Sequence, residues 1–398
     1  MQTSLHNLFE EFLKKPSIFI NKEALTPKYN PRQILHREDQ IKLLAQILAP
    51  SLKFEKPSNV LIYGKPGTGK TVVTKYVCAQ LELSAKSKGI PLDTLYLNCK
   101  MKKVADTEYR LFAYLCSLLG EQVPPTGLPT NEVYNRFVKV LDSKPRMLII
   151  VLDEIDALVR KQGSDVLYNL TRMELENAKM SFIGISNDAT LKDLLDPRVR
   201  SSLSQEEIVF PPYDALQLRD ILWKRAEIAF SKGVVDEVII SKCAAYSASV
   251  DGDARKALDL LRIAGELAER ENANSIREEH LNEAIKKMET DSVLEIVRKL
   301  TKHSLLVLYS TILLSKLRDV LTTGNVYSFY CKLCENISLN PLTQRRVSDL
   351  LDELDVLGLI KAEVISKGRY GRTREISLSI KGEILDKICD LTKEVFGI

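Results

Sequence analysis

The stretch "NVLIYGKPGTGKTVVTKYVCAQLEL", residues 59–83, leaves few options for the fold around it. An apolar run of strand length meets a glycine-rich turn, and a segment of helical periodicity follows at once. Gly64, Gly67 and Gly69 let backbone N–H groups turn inward around anion oxygens, and a helix start adds the positive end of its dipole. The eight residues Gly64, Lys65, Pro66, Gly67, Thr68, Gly69, Lys70 and Thr71 match the phosphate-binding loop pattern in full. Lys70 is therefore expected to reach the β- and γ-phosphates of ATP, and Thr71 to hold Mg²⁺.

A loop of this kind needs a parallel sheet, and the next 140 residues supply one. From about residue 59 to 212, the runs "NVLIY", "TLYLNC", "RMLIIVLD", "SFIGISN" and "EEIVF" alternate with helical stretches. That rhythm implies a parallel sheet with crossover helices. From Asp214 to about 290 strand signals vanish and four helical stretches follow, several opened by Asp or Ser caps. The remainder returns to helices, two β-rich runs and a last helix. Three domains are expected: an α/β ATP-binding domain over 1–212 with a lead-in over 1–30, a helical lid over 213–290, and a winged helix over 291–398.

Composition narrows the class further. With 45% apolar and 28% charged residues in 398, the chain reads as soluble and globular. No apolar run is long enough for a membrane span. The start "MQTSLHNLFEEFLKK" has no apolar signal core, so export is not expected, and the seven scattered cysteines suit a reducing interior. A cytoplasmic, nucleoid-associated location follows. Cys331 and Cys334 form a lone CxxC without a second pair, which reads better as helical spacing on a buried face than as a zinc site.

"MLIIVLDEIDAL" ends a buried strand in Asp153 and Glu154, at the sheet edge where ligands of open α/β sheets bind. Asp153 suits an indirect Mg²⁺ ligand and Glu154 a base that polarises the attacking water. Asn187, ending the next strand, is placed to orient that water. "LLDPRVRSSL" offers Arg198 and Arg200, either of which could reach a neighbouring subunit's ATP, an effect worth roughly 10³–10⁵ in rate where it operates. "DGDARKAL" puts Arg255 at a helix start, free to turn toward the nucleotide. Upstream, "YNPRQILHRE" reads as an adenine-side segment with Tyr29, Pro31 and Leu35 as an apolar wall.

Together the phosphate loop, "LDEID", Asn187, the Arg198 segment and "GDARKAL" resemble the AAA+ ATPases. The set "DPRVRSSL", "FPPYDALQL" and "DGDARKALDLLRIAGELAE" resembles the archaeal replication initiators related to origin-recognition-complex subunit 1 and cell-division-control protein 6. The resemblance covers about residue 15 to the end. It implies Lys70, Thr71, Asp153 and Glu154 as nucleotide and hydrolysis residues, Asn187 as first sensor and Arg255 as second. It implies an arginine finger at Arg198 or Arg200, with Arg198 favoured, and an initiator-specific insertion that touches DNA. "GEQVPPTGLPTNE", residues 120–132, stands in that place and holds no Lys or Arg.

The net charge of the whole chain is +4, and the segment Lys361–Arg374 alone carries the same surplus. A local excess of that size points to a polyanionic partner. Before it, Thr343 caps an amphipathic helix whose Val347, Leu350, Leu351 and Leu354 share one face. Arg345, Arg346 and Ser348 lie toward its N-terminal end, while Asp349, Asp352, Glu353 and Asp355 crowd the other, so an approach to DNA by the N-terminal end is favoured. The "SKGRYGRTR" tip adds Lys367, Gly368, Arg369, Tyr370, Gly371, Arg372 and Arg374, cations and glycines suited to phosphates and a minor groove. The expectation is an ATP-regulated, sequence-specific initiator that binds double-stranded origin DNA and hydrolyses ATP to ADP slowly, as a switch. The resemblance implies paralogous initiators and the replicative helicase as partners. The alternative is a signalling-type P-loop ATPase whose winged helix serves protein contacts; the cationic tip argues against it.

Overall fold

The computed structural model describes residues 17–31, 33–101, 107–124, 126–317, 320–366 and 372–397, without the side chains of 366, 372 and 373. The chain divides into two compact units, Met1–Leu281 and Asn282–Ile398.

In the first unit five parallel strands form one sheet: β1 (Val60–Tyr63), β2 (Leu92–Asn98), β3 (Met147–Asp153), β4 (Lys179–Ser186) and β5 (Glu206–Val209), in the order β2-β3-β4-β1-β5. These are the five runs the sequence marks. Helices cover both faces, so β3, an interior strand, is buried along its length. Period-two alternation sorts its side chains: Leu148, Ile150 and Leu152 join the core beneath helices Glu108–Leu118 and Thr130–Leu141. Met147, Ile149 and Val151 join the core with Val73, Val77 and Leu81 of helix Lys70–Ser87. Each such side chain contributes about 1.5–3 kcal/mol by leaving water. Asp153 is odd-numbered too, and so emerges on the side of that helix.

Three helices of the lid, Ala215–Ala229, Glu237–Val250 and Ala254–Arg270, open on Asp214, Asp236 and Asp253, each accepting hydrogen bonds from first-turn N–H groups. A fourth, Glu278–Arg298, follows. The lead-in from Ser17 packs back on the lid: Phe19 and Phe230 rings stand 4.7 Å apart. Gly265 makes that approach possible, since a Cβ there would lie 2.7 Å from Phe19.

The second unit centres on the helix Lys302–Ser315, apolar almost all round and buried through Leu305, Leu306, Val307, Leu308 and Ile312. Helices Thr323–Asn336, Gln344–Val356 and Glu383–Phe396 surround it, with a three-stranded antiparallel sheet of β6 (Leu321–Thr322), β7 (Ile360–Ser366) and β8 (Arg372–Leu378) in the order β6-β8-β7. The hydroxyls of Ser310 and Thr311, inside the core, bond back to Leu306 and Val307 carbonyls of their own helix.

All seven cysteines are free, and all but Cys331 are buried. Burial pushes the thiols of Cys78, Cys99 and Cys243 up to about 12. No group of side chains suited to a metal ion occurs among the described residues by His, Cys, Asp and Glu clustering, and no described helix is long and apolar enough to cross a membrane.

Candidate nucleotide site and nucleic-acid interface

A cavity of about 320 Å³ opens where the phosphate loop, the adenine-side segment and the lid meet. Tyr29, Pro31 and Leu35 line one side, Gly67, Gly69 and Thr71 the floor, and Ala254, Arg255 and Leu258 the lid side. The loop glycines carry the geometry. Gly67 and Gly69 have φ of +72° and +92°, a region that side chains disfavour. A Cβ on Gly67 would also lie 1.6 Å from Asp253 Oδ1, so the loop and the lid touch here with no room for a methyl group.

Lys70 is 4% exposed and donates through Nζ to the carbonyls of Gly64 and Lys65, both at 2.7 Å. Burial, with Arg255 adding to it, pushes the ammonium down to about 8. Thr71 Oγ1 donates to Asp153 Oδ2 at 2.8 Å, and Tyr96 Oη donates to the same oxygen at 2.5 Å. Burial and that carboxylate both raise the Tyr96 phenol. Glu154 follows in the left-handed region at φ +54°, its carboxylate 3.2 Å from Lys100 Nζ. A non-glycine residue there costs about 1–2 kcal/mol, strain that recurs where a side chain must be aimed.

β3 and β4 are in register from Met147↔Lys179 to Asp153↔Ile185, which brings Asn187 to the same sheet edge as Asp153 and Glu154. Asn187 is exposed, and its N–H lies 3.4 Å from Asp156 Oδ1. Arg255 is exposed at its helix start, and its side chain has no ion pair among the described residues. On the short helix Pro197–Leu203, Arg198 is paired with its own cap, Asp196, at 3.2 Å, while Arg200 is exposed with no such partner among the described residues. Residues 120–132 connect two helices, and from Thr130 they already belong to the second.

Two arginines at this site escape a reading of the sequence alone. Arg225 of the lid lines the cavity, donates to the Ala24 carbonyl at 3.2 Å, and stands 4.4 Å from the Tyr29 ring centroid. Burial lowers its pKa, as it does that of Arg37. Arg37 bonds to a loop carbonyl and lies against Tyr213. Each looks in the sequence like an ordinary helix-flank cation, and only partners far along the chain reveal otherwise.

In the second unit Thr343 Oγ1 accepts from Arg346 N–H at 3.4 Å, and the four expected apolar residues face the core. Arg345 is exposed and Ser348 half-buried. Arg346 turns along its own helix toward Asp349 and Glu353, each at 3.6 Å. Arg374 pairs with Asp352. Lys367, Gly368, Arg369, Tyr370 and Gly371 lie outside the described residues. Arg372 is described only as the first residue of β8.

Three family models match in succession. Residues 60–212 match the "ATPase family associated with various cellular activities", 219–286 a "Cdc6 AAA+ ATPase-type lid domain", and 295–387 the "CDC6, C terminal winged helix domain". The first of these places a nucleotide-binding fold around the cavity. The ORC1-type DNA replication protein of Thermococcus onnurineus is 52% identical, over 94% of this chain and 92% of that protein. That of Pyrococcus furiosus is 53% identical, over 95% and 91%. Among solved structures, the Aeropyrum pernix ORC1 protein in complex with DNA is similar with a TM-score of 0.79 and 44% identity, over 96% of this chain and 99% of that one. With more than half its residues shared along nearly its whole length with such relatives, the chain belongs to the family of ORC1-type DNA replication proteins.

Proposed function

We propose that the chain is an ATP-regulated initiator of chromosomal replication that recognises double-stranded origin DNA by sequence. The observation that carries this reading is the likeness, along 96% of the chain, to an ORC1 protein held in complex with DNA. In the division we infer, residues 1–212 bind ATP, 213–290 close over it, and 291–398 bind DNA.

ATP or ADP takes the cavity, its base against Tyr29 and Leu35 and its phosphates against Gly64–Thr71. Thr71 Oγ1 is a hard oxygen donor of the kind Mg²⁺ takes, and Asp153 Oδ2, 2.8 Å from it, would hold the ion indirectly. When bound, the ion neutralises charge on the phosphate oxygens. Glu154 polarises the attacking water, Asn187 orients it, and Arg255 reaches the phosphates from the lid. Arg198 or Arg200 of one copy serves the site of a neighbour; Arg198 must first leave Asp196, and Arg200 has no such tie among the described residues. Hydrolysis is slow and resets a switch.

The helix Gln344–Val356 enters the major groove by its N-terminal end, with Thr343, Arg345, Arg346 and Ser348 nearest the bases and phosphates. The tip, residues 367–374, grips the minor groove. Paralogous initiators and the replicative helicase are the partners, and the protein acts on the chromosome in the cytoplasm. Selection and sequencing of genomic DNA bound by wild type and by Arg372→Ala tests the reading. Discrete sites clustered at an origin, lost in the variant, support it. Enrichment of nothing by either protein overturns sequence-specific binding and favours a protein-contact role for the winged helix.

A further inference from the structure

Arg37 is 2% exposed, and no carboxylate lies within ion-pair distance of it among the described residues. Three carbonyls take its donors instead: Nε bonds to Thr68 at 2.9 Å, Nη1 to His36 at 3.0 Å, and Nη2 to Pro211 at 2.6 Å. The guanidinium centre stands 3.8 Å from the Tyr213 ring centroid, a cation–π distance. One buried charge thus joins the adenine-side segment, the phosphate loop and the Pro211–Tyr213 segment that enters the lid. A charge so placed is costly to keep out of water, and burial indeed lowers its pKa.

The contact to Thr68 has a directional consequence. A trans peptide points its carbonyl and its N–H in opposite directions, and no cis peptide occurs among the described residues. Holding the Thr68 carbonyl therefore turns the Gly69 N–H to the other side, away from Arg37. The preceding peptide is held the same way from the lid, where Ala254 N–H donates to the Gly67 carbonyl at 3.3 Å. The lid entry is locked onto the lid in turn, since Tyr213 N–H donates to the Gly252 carbonyl at 3.2 Å and a Cβ on Gly252 would lie 2.6 Å from Tyr213 O.

We propose that Arg37 is a positioning residue that presets the Gly69 amide for the nucleotide phosphates and, through the Pro211 carbonyl, couples nucleotide occupancy to the position of the lid. This rests on the nucleotide reading of the cavity above. Lysine at this position keeps the charge but cannot hold three divergent carbonyls at once.

The experiment compares wild type, Arg37→Lys and Tyr213→Leu in the full chain, using ATP and ADP as probes. Three quantities are read: affinity by calorimetric titration, the rise in Tm that saturating ATP adds, and the fluorescence change of Trp223, the single tryptophan, which sits on the lid helix Ala215–Ala229. The expected result for Arg37→Lys is about a tenfold loss of ATP affinity, a smaller ATP-induced rise in Tm, and a diminished Trp223 change at saturation. Tyr213→Leu, which removes the ring but none of the three hydrogen bonds, shifts all three in the same direction by less. A lowered Tm with an undiminished ATP increment and an unchanged Trp223 response in both variants overturns the proposal, because a merely structural arginine behaves that way. Should Arg37→Lys not fold, Tyr213→Leu decides alone by the same readouts. If wild type binds neither ATP nor ADP, it is the nucleotide reading that fails, and the variants are not at issue.

Discussion

At the phosphate loop Lys70 directs its ammonium at two loop carbonyls and Arg255, on the lid side of the cavity, has no ion pair among the described residues, whereas in the winged helix Arg346 leans on Asp349 and Glu353 and Arg374 is held by Asp352. Lys361 likewise pairs with Glu363 at 2.5 Å. The first set of cations is arranged around an anion that must come from outside. Carbonyls give up an ammonium to phosphate readily, because a full charge outcompetes a partial one. The second set already has carboxylate partners, which DNA would have to displace to meet these cations, and the acidic half of the helix Gln344–Val356 would oppose a DNA backbone. One region is poised; the other is self-restrained.

Four measurements would sharpen or break that contrast. The largest effect is expected at Glu154: Glu154→Gln lowers single-turnover ATP hydrolysis by about 10²–10⁴-fold while nucleotide affinity stays within about twofold. A loss of affinity instead would mean that Glu154 shapes the cradle rather than the chemistry. Next, Lys70→Ala weakens ATP binding by about 10²-fold in calorimetry, the loss of one charge-assisted contact in a dry site.

The third prediction turns on pH. Burial pushes the Lys70 ammonium down to about 8, below the ordinary lysine value, and a phosphate beside it would raise it again. The charged form is complete below that value and is lost as pH rises through it. ATP affinity should therefore fall by up to about tenfold between pH 7.5 and 9, and Lys70→Arg should remove that fall. The opposite slope would show that the ammonium is not what the phosphates meet. The smallest effect is expected in the winged helix: Asp352→Asn releases Arg374 and should tighten DNA binding about three- to tenfold, with a salt dependence steeper by about one unit. An unchanged slope would mean that Arg374 braces the wing and never meets DNA.

Much of this molecule is legible in its sequence because local patterns agree with the global fold. The runs "MLIIVLD" and "SFIGIS" are strands because an unbroken apolar stretch is what a doubly covered sheet requires. The lid helices start at Asp214, Asp236 and Asp253 because a short carboxylate satisfies first-turn amides. Lys70, Thr71 and Asp153 assemble because loop pattern and strand ends fix them to one sheet edge, while Arg255 comes from the lid helix whose first residue bonds to the loop. The strand order is not written locally; it arises from packing. Arg37 and Arg225 are invisible for the same reason, since the Pro211 and Ala24 carbonyls they hold lie 174 and 201 residues away. The pairing of Arg374 with Asp352 is hidden in the same way, since it joins a strand to a helix 22 residues earlier.

The buried thiols have a practical consequence. A thiolate is the reactive form, and a thiol held near 12 inside a core reacts with an alkylating reagent only when its surroundings open. Cys99 lies beside the sheet, Cys243 in the lid, and Cys334 and Cys389 in the winged helix. The unmodified chain therefore carries a stopwatch in each of its bodies. Mass-resolved labelling rates, taken with and without ATP or DNA, would time the breathing of sheet, lid and winged helix separately, with no probe introduced.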